Sequence, residues 1–254
     1  MAFEILNTLK THYIRPAQTR LKAYLERTGQ PHVRAAEEFV RTHKPVSEDF
    51  PVFYSTSRIT QRAFDIGFGL LGAGFFAASF IPIAALVKLD SPGPLFYFQD
   101  REGERDRTIT LIKYRSMNQG SGVAAEKIVS KADRRAWLSA YTERLGLVGK
   151  YLRSSGLDEL PQFISILKGD MTLIGFRANS SAALDIELGE TGWRELRKQA
   201  RPALIDAALV LKGRYVTGQE LAELEQYWAA TYSASRNLSL LMRASLVILS
   251  GNLY

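Results

Sequence analysis

Two carboxylates stand side by side at Asp158 and Glu159, in the run Lys150-Tyr151-Leu152-Arg153-Ser154-Ser155-Gly156-Leu157-Asp158-Glu159-Leu160-Pro161-Gln162, with an arginine five residues before them. The run reads as the start of a helix. There, free backbone N–H groups and the positive end of the helix dipole keep a carboxylate ionised and attract phosphate oxygens. A nucleophilic Asp beside a bound pyrophosphate is chemistry that such a position permits. Capping of the helix by acidic first-turn residues is the alternative that this run alone leaves open.

Composition removes the competing chemistries. The chain has no cysteine, which excludes disulfides, thiolate nucleophiles and cysteine-ligated zinc. Its three histidines, His12, His32 and His43, all lie near the N-terminus at spacings unlike those of metal ligands, which argues against a histidine metal site or a Ser-His triad. Carboxylates, hydroxyls and basic groups remain. A formal net charge of +7 and a pI near 9.6 suit a phosphate-bearing partner, whether a nucleotide, an anionic membrane or nucleic acid. Nucleic acid is disfavoured, because the aromatic residues concentrate in apolar runs rather than interleaving with Lys and Arg.

These groups must be positioned by a chain with one conspicuous element. From Ile66 to Val87 there are 22 residues without a charge, bounded by Asp65 and Lys88. About 20 helical residues cross a hydrocarbon layer of about 30 Å. The segment follows a charged stretch of more than sixty residues, unlike a secretory signal, and is expected to remain in the mature protein. Pro82 predicts a kink, giving either a tilted span or a re-entrant hairpin. Residues 1–65 carry ten Lys and Arg against seven Asp and Glu, and residues 88–254 carry twenty-three against nineteen. Basic flanks on both sides fit entry and exit by the same face.

Ahead of that segment, Ile5, Leu9, Tyr13, Leu21, Tyr24 and Leu25 stand at helical spacing, broken by Pro16. After it, Ser91-Pro92-Gly93-Pro94 is turn chemistry, and the runs 95–99 and 108–112 predict a β-hairpin. A mainly helical pattern covers 127–151. A short helix with the stripe Leu160, Phe163, Ile164 and Leu167 ends near Gly169. Helices are expected over about 190–200 and 219–232. A last amphipathic helix carries Leu238, Leu241, Met242, Leu246 and Leu249, with core packing the favoured fate of that face. The expected fold is α+β, mostly helical, with a small β-hairpin, and membrane-embedded through one kinked, re-entrant hydrophobic helix. It divides into an N-terminal helical extension (1–57), a membrane-embedded hairpin (58–90) and a cytoplasmic catalytic domain (91–254).

In context, LRSSGLDELPQFISILKGDMTLIGFR resembles the signature of the bacterial sugar transferases, the monotopic polyprenyl-phosphate phosphoglycosyl transferase family. Other blocks agree in order: Arg62-Ala63-Phe64-Asp65 before the apolar run, SPGPLFYFQDREG, LIKYRSM, Arg201-Pro202, Lys212-Gly213-Arg214 and Arg236-Asn237-Leu238-Ser239. The resemblance covers about residues 58–250. It implies that Asp158 attacks the β-phosphate of a UDP-sugar, expelling UMP, and that polyprenyl phosphate then takes the phosphosugar from the enzyme. Glu159 matches the acid/base partner, and Mg²⁺ is implied at Asp158. Arg153 matches a phosphate-holding arginine. Lys113, Arg115, Lys168, Arg177, Arg201 and Arg214 fall in matching blocks as substrate-binding candidates, while Asp170 reads as a turn-former. The implied place is the bacterial inner membrane, with the catalytic domain on the cytoplasmic face and a homodimer left open.

The chain departs from that pattern in three places, one being the Ser-Pro pair expected within the membrane hairpin, which is displaced here, with Ser79 and Pro82 separated. The family's Gly-Pro-Arg-Pro stands here as Gly175-Phe176-Arg177-Ala178. Its Arg-Pro-Gly-Ile-Thr-Gly run toward Gln-Val-x-Gly-Arg becomes Arg201-Pro202-Ala203-Leu204-Ile205-Asp206-Ala207-Ala208-Leu209-Val210-Leu211-Lys212-Gly213-Arg214. Glycines permit close backbone approach that Ala and Asp do not. Two readings therefore stand beside each other: an active transferase, and a non-catalytic relative acting as a membrane scaffold or regulator of polysaccharide assembly.

Overall fold

The computed structural model describes residues 50–117, 145–180, 197–212 and 219–249, with Arg34, Glu38, Leu184 and Trp193 as single positions. The helices expected before residue 50, most of the 127–151 stretch, part of the 190–200 helix and Arg214 lie outside the described residues.

Helix α1, Phe50–Asp90, carries the whole uncharged run and continues through Pro82 as a single element. Proline removes one helical N–H there. Just ahead of it, Ser79 Oγ turns back to donate to the carbonyls of Phe75 and Phe76, at 2.7 and 3.3 Å, an arrangement that accompanies local bending. The turn chemistry of 91–94 ends the helix, with Gly93 at φ 124°, where a side chain would be strained. Strands β1, Phe96–Glu102, and β2, Thr108–Tyr114, form the expected antiparallel hairpin, Phe96 opposite Tyr114 and Glu102 opposite Thr108.

Helix α2, Leu147–Ser155, stops at Gly156 (φ 70°), which opens a 3₁₀ turn over Leu157–Gln162. Helix α3, Phe163–Lys168, ends at Gly169 (φ 90°), as its sequence predicts. The sequence reading has no counterpart for the next two elements. Strands β3, Thr172–Gly175, and β4, Ala203–Asp206, pair in parallel. Helices α4, Ala207–Lys212, α5, Gln219–Ala230, and α6, Ala234–Leu249, complete the described fold.

The stretch 203–212, so unlike the family pattern, is core. Asp206 Oδ1 accepts from the N–H groups of Ala208 and Leu209 and so caps α4, whose Ala207, Ala208, Val210 and Leu211 pack with Ile174, Phe176 and Trp228. Small Ala residues let this helix sit close to the sheet.

Helix α6 turns inward a face that overlaps the predicted leucine stripe at Leu241, which packs against the core, and is rotated from it elsewhere. Asn237, Leu240 and Ala244 are buried, whereas Leu238 and Met242 are exposed. Asn237 fixes this rotation, because its Oδ1 accepts from the buried Trp228 Nε1 at 3.2 Å. A buried hydrogen bond outweighs the gain from hiding one more aliphatic side chain when its loss would strand a donor.

One face of α1 rests on the rest of the chain from Gln61 to Val87. Gln61 donates to Thr172 Oγ1 at 2.9 Å, and Arg62 caps the end of α3 by donating to the carbonyls of Ile166 and Leu167 at 2.6 Å each. Further along, Gly69 and Gly72 admit Leu167 and Phe163 so closely that a Cβ would clash. Phe76 then meets Tyr114, Phe80 meets Phe96, and Ile83 and Val87 join Tyr114, Leu152 and Leu160 in a second core. From Gln61 to Val87 this seam runs about 39 Å at 1.5 Å per residue. The opposite face leaves Leu70, Leu71, Phe75, Ile81, Leu86 and Leu89 exposed.

Candidate active site

The 3₁₀ turn that carries Asp158 and Glu159 packs against β2, α2 and α1. Its N-cap is Gly156 rather than either carboxylate. Asp158 is buried, only 1% exposed, and its Oδ1 accepts no hydrogen bond. Such an atom costs about 1–3 kcal/mol unless a ligand completes it. Burial is the main cause that pushes the carboxyl up to about 6. The neighbouring Glu159 charge adds to the rise, and Lys113 and Arg153 oppose it.

Two cations flank the pair. Lys113, near the end of β2, meets Glu159 with Nζ 2.5 Å from Oε1. Arg153, in the last turn of α2, donates from Nη1 to Ser116 Oγ at 3.3 Å. That contact exists because α2 lies backbone to backbone on the chain after β2. A Cβ at Gly149 would sit 2.0 Å from the Ser116 carbonyl oxygen. The start of α2 is fixed in turn by Asp90, whose Oδ1 accepts from Val148 N at 3.3 Å.

The other candidates divide. Arg115 is buried and donates to the carbonyls of Val87, Ser91 and Pro92, fastening the end of α1 to β2. Arg201 is buried near Asp65, with Nη1 3.9 Å from Oδ2. Arg177 follows β3, and its carbonyl accepts from Arg197 Nη2 at 2.7 Å; Arg197 is itself buried against Glu225 at 3.2 Å. Lys168 and Asp170 are exposed at the end of α3. The structure thus gathers Lys113, Arg153, Asp158 and Glu159 into one cluster.

The sequence reading gave no role to three residues beside that cluster. Ser116 orients Arg153. Tyr114 Oη and Gln162 Nε2 are buried without a hydrogen-bond partner, and burial raises the Tyr114 phenol. Both stand within the quoted motifs, Tyr114 between Lys113 and Arg115 and Gln162 four residues after Asp158.

The site's chemistry is that of a desolvated carboxylate with one open oxygen, a second carboxylate held by an ammonium, and a guanidinium at one side. Asp158 Oδ1 is a hard oxygen donor of the kind Mg²⁺ takes, one or two carboxylates plus substrate phosphates being its usual set. Among the described residues no group of three His, Cys, Asp or Glu could hold a metal by itself, so the substrate would have to supply ligands.

Residues 56–251 match the family described as bacterial sugar transferase. This chain belongs to that family. A UDP-N-acetylgalactosamine-undecaprenyl-phosphate N-acetylgalactosaminephosphotransferase of Aeromonas hydrophila is 29% identical over 194 residues, 75% of this chain and 44% of that protein. A UDP-glucose:undecaprenyl-phosphate glucose-1-phosphate transferase of Caulobacter vibrioides is 31% identical over 197 residues, 73% of this chain and 68% of that protein. The exopolysaccharide production protein PSS of Rhizobium leguminosarum bv. phaseoli is 37% identical over 127 residues, 48% of this chain and 57% of that protein. The chain spans less than half the length of the Aeromonas relative. The stretch matched to the bacterial sugar transferase family takes in Arg153, Asp158 and Glu159.

Proposed function

We propose that the chain is a phosphoglycosyl transferase moving a phosphosugar from a UDP-sugar to a polyprenyl phosphate such as undecaprenyl phosphate. The observation that carries this reading is the buried, raised-pKa Asp158 with an open carboxylate oxygen between Lys113 and Arg153. In the first step a carboxylate oxygen of Asp158 attacks the β-phosphorus, the bond from that phosphorus to the bridging oxygen breaks, and UMP leaves. In the second, an oxygen of polyprenyl phosphate attacks the same phosphorus and frees Asp158, giving polyprenyl-diphospho-sugar. Arg153 holds phosphate oxygens through its planar fork. Glu159, held by Lys113, receives the proton of the incoming lipid phosphate. Asp158 would be the residue to hold Mg²⁺, which when bound would supply neutralisation of phosphate charge. The buried places of Arg115 and Arg201 favour positioning work over direct substrate contact.

The test is UMP release from a panel of UDP-sugars with polyprenyl phosphate and Mg²⁺. No release from any donor would leave the scaffold reading in its place. The pH profile adds a second check. A nucleophilic carboxyl with a pKa of about 6 is protonated and inert below that value, so kcat/KM rises through pH 6 and levels off by about pH 7.5. A limb near pH 4 instead would show that an ordinary exposed carboxylate controls the rate.

The same reading sets the membrane arrangement. The polar cluster shares α1's packed face, and ionised groups are costly in hydrocarbon. Only the opposite, apolar face of α1 enters the bilayer, so both ends of the helix stay on one side, taken to be the cytoplasmic face of the inner membrane. Cysteines introduced singly as Thr60→Cys and Leu89→Cys are expected to react with a membrane-impermeant maleimide from the same side of sealed vesicles. Labelling from opposite sides would establish a span.

A further inference from the structure

The most exposed apolar residues outside α1 include two on α2. Leu147 is 84% exposed and Tyr151 65%, and as an i, i+4 pair they share one side of the helix, with exposed Lys150 beside them. The other side is fully engaged: Gly149 lies on Ser116, Leu152 is buried beside Tyr114, and Arg153 points to Ser116 Oγ. A nine-residue helix thus separates an apolar and aromatic face from a face built into the active site.

We propose that this outer face of α2 rests on the surface of the bilayer as a second lipid contact beside α1, an inference that rests on the reading of α1 as membrane-embedded. Continuity argues for lipid. The start of α2 is fixed to the end of α1 by Asp90, and the adjoining Leu89 is also 84% exposed, at the end of the apolar face that includes Leu86. Composition argues for the interface rather than the hydrocarbon interior. A tyrosine, an aliphatic anchor and a lysine on one short face are what the headgroup boundary favours, the ring and the ammonium staying at the polar level. The positive charges of Lys150 and Lys88 complement anionic headgroups.

The consequence is functional. Residues 151 and 153 project about 200° apart on a helix, so seating Tyr151 at headgroup level turns Arg153 to the far side of α2, toward the active-site cluster, and fixes the height of that cluster above the lipid.

The absence of cysteine from the chain makes the test direct. Leu147→Cys, Tyr151→Cys and, as a reporter on α1, Phe75→Cys each receive a nitroxide label in the full chain reconstituted into phosphatidylcholine–phosphatidylglycerol vesicles. Collision with oxygen, which concentrates in lipid, is compared with collision with an aqueous nickel chelate. Oxygen-dominated collision is expected at all three sites, strongest at 75. Nickel-dominated collision at 147 and 151 with oxygen-dominated collision at 75 would overturn the α2 contact and leave the α1 reading standing. Shielding of 147 and 151 from both agents would mean that protein covers the face, and would overturn it equally. Nickel-dominated collision at 75 would remove the α1 reading and this inference with it.

Discussion

Asp158→Asn reduces UMP release to background, a loss of at least about 10³-fold, and at the same time makes the folded protein more stable. Both effects come from one cause. The carboxyl is buried, beside another carboxylate, and its pKa of about 6 lies above the ordinary 3.8. A carboxyl whose folded pKa is raised is penalised in the folded state wherever it must be ionised. That penalty is absent below about pH 4, where both states hold the proton, grows between pH 4 and 6, and is complete above. At roughly 1.4 kcal/mol per pKa unit, the neutral amide recovers up to about 3 kcal/mol at pH 8 and nothing at pH 4. Denaturant unfolding of wild type and variant in the same detergent at the two pH values measures the difference. Were Asp158 only a capping group, Asn would cap nearly as well, and neither activity nor stability would move.

Asp65→Ala is expected to cost about 3 kcal/mol or more of stability and to loosen α1 from the catalytic domain. Asp65 is fully buried on the packed face of α1. Its Oδ1 accepts from Leu173 N and from Thr172 Oγ1, each at 2.8 Å, and Arg201 lies near Oδ2. Removing the acceptor strands a buried β3 amide and a hydroxyl and takes a negative charge from beside the Arg201 guanidinium, and uncompensated buried groups are among the costliest defects a fold can carry. Asp65→Asn keeps an oxygen for the Leu173 amide and should lose clearly less. In a thermal melt the Ala variant should fall by roughly 6–12 °C, taking 2–4 °C per kcal/mol for a chain of this size. Equal melting of wild type and Ala variant would show that α1 is held by its other contacts and that Asp65 contributes nothing to them.

Local patterns carried much of this architecture into view. The uncharged run from Ile66 to Val87, the turn at 91–94 followed by alternating strands, and the stop at Gly169 each announce their element through chemistry within a few residues. The adjacent carboxylates at a helix start with an upstream arginine were legible for the same reason. The parallel pair β3 and β4 was not. Four-residue runs such as Thr172–Gly175 are too short for periodicity to separate strand from buried helix, and their pairing joins residues about thirty positions apart. Charge roles were legible only in part. Lys113 and Arg153 stand in the cluster where their motifs suggested, whereas Arg115 and Arg201 occupy similar motif positions and are turned inward onto carbonyls and onto Asp65. A sequence shows that a guanidinium is present, and only the packing shows whether it faces substrate or the protein's own backbone. The inward face of α6 was legible only in part for a related reason: Leu241 of the leucine stripe packs on the core, whereas the pairing of Trp228 with Asn237 is invisible to a count of leucines.

The central claim is that Asp158 becomes covalently attached to the transferred phosphosugar. The direct measurement is to incubate the wild-type chain with its UDP-sugar donor labelled at the β-phosphate, without acceptor, then quench, digest and locate the label. The account predicts label on the peptide containing Asp158, released as polyprenyl-diphospho-sugar when polyprenyl phosphate is added before the quench, and absent from Asp158→Asn. Formation of the lipid product while no label ever resides on the protein would contradict it, as would label that persists in the Asn variant.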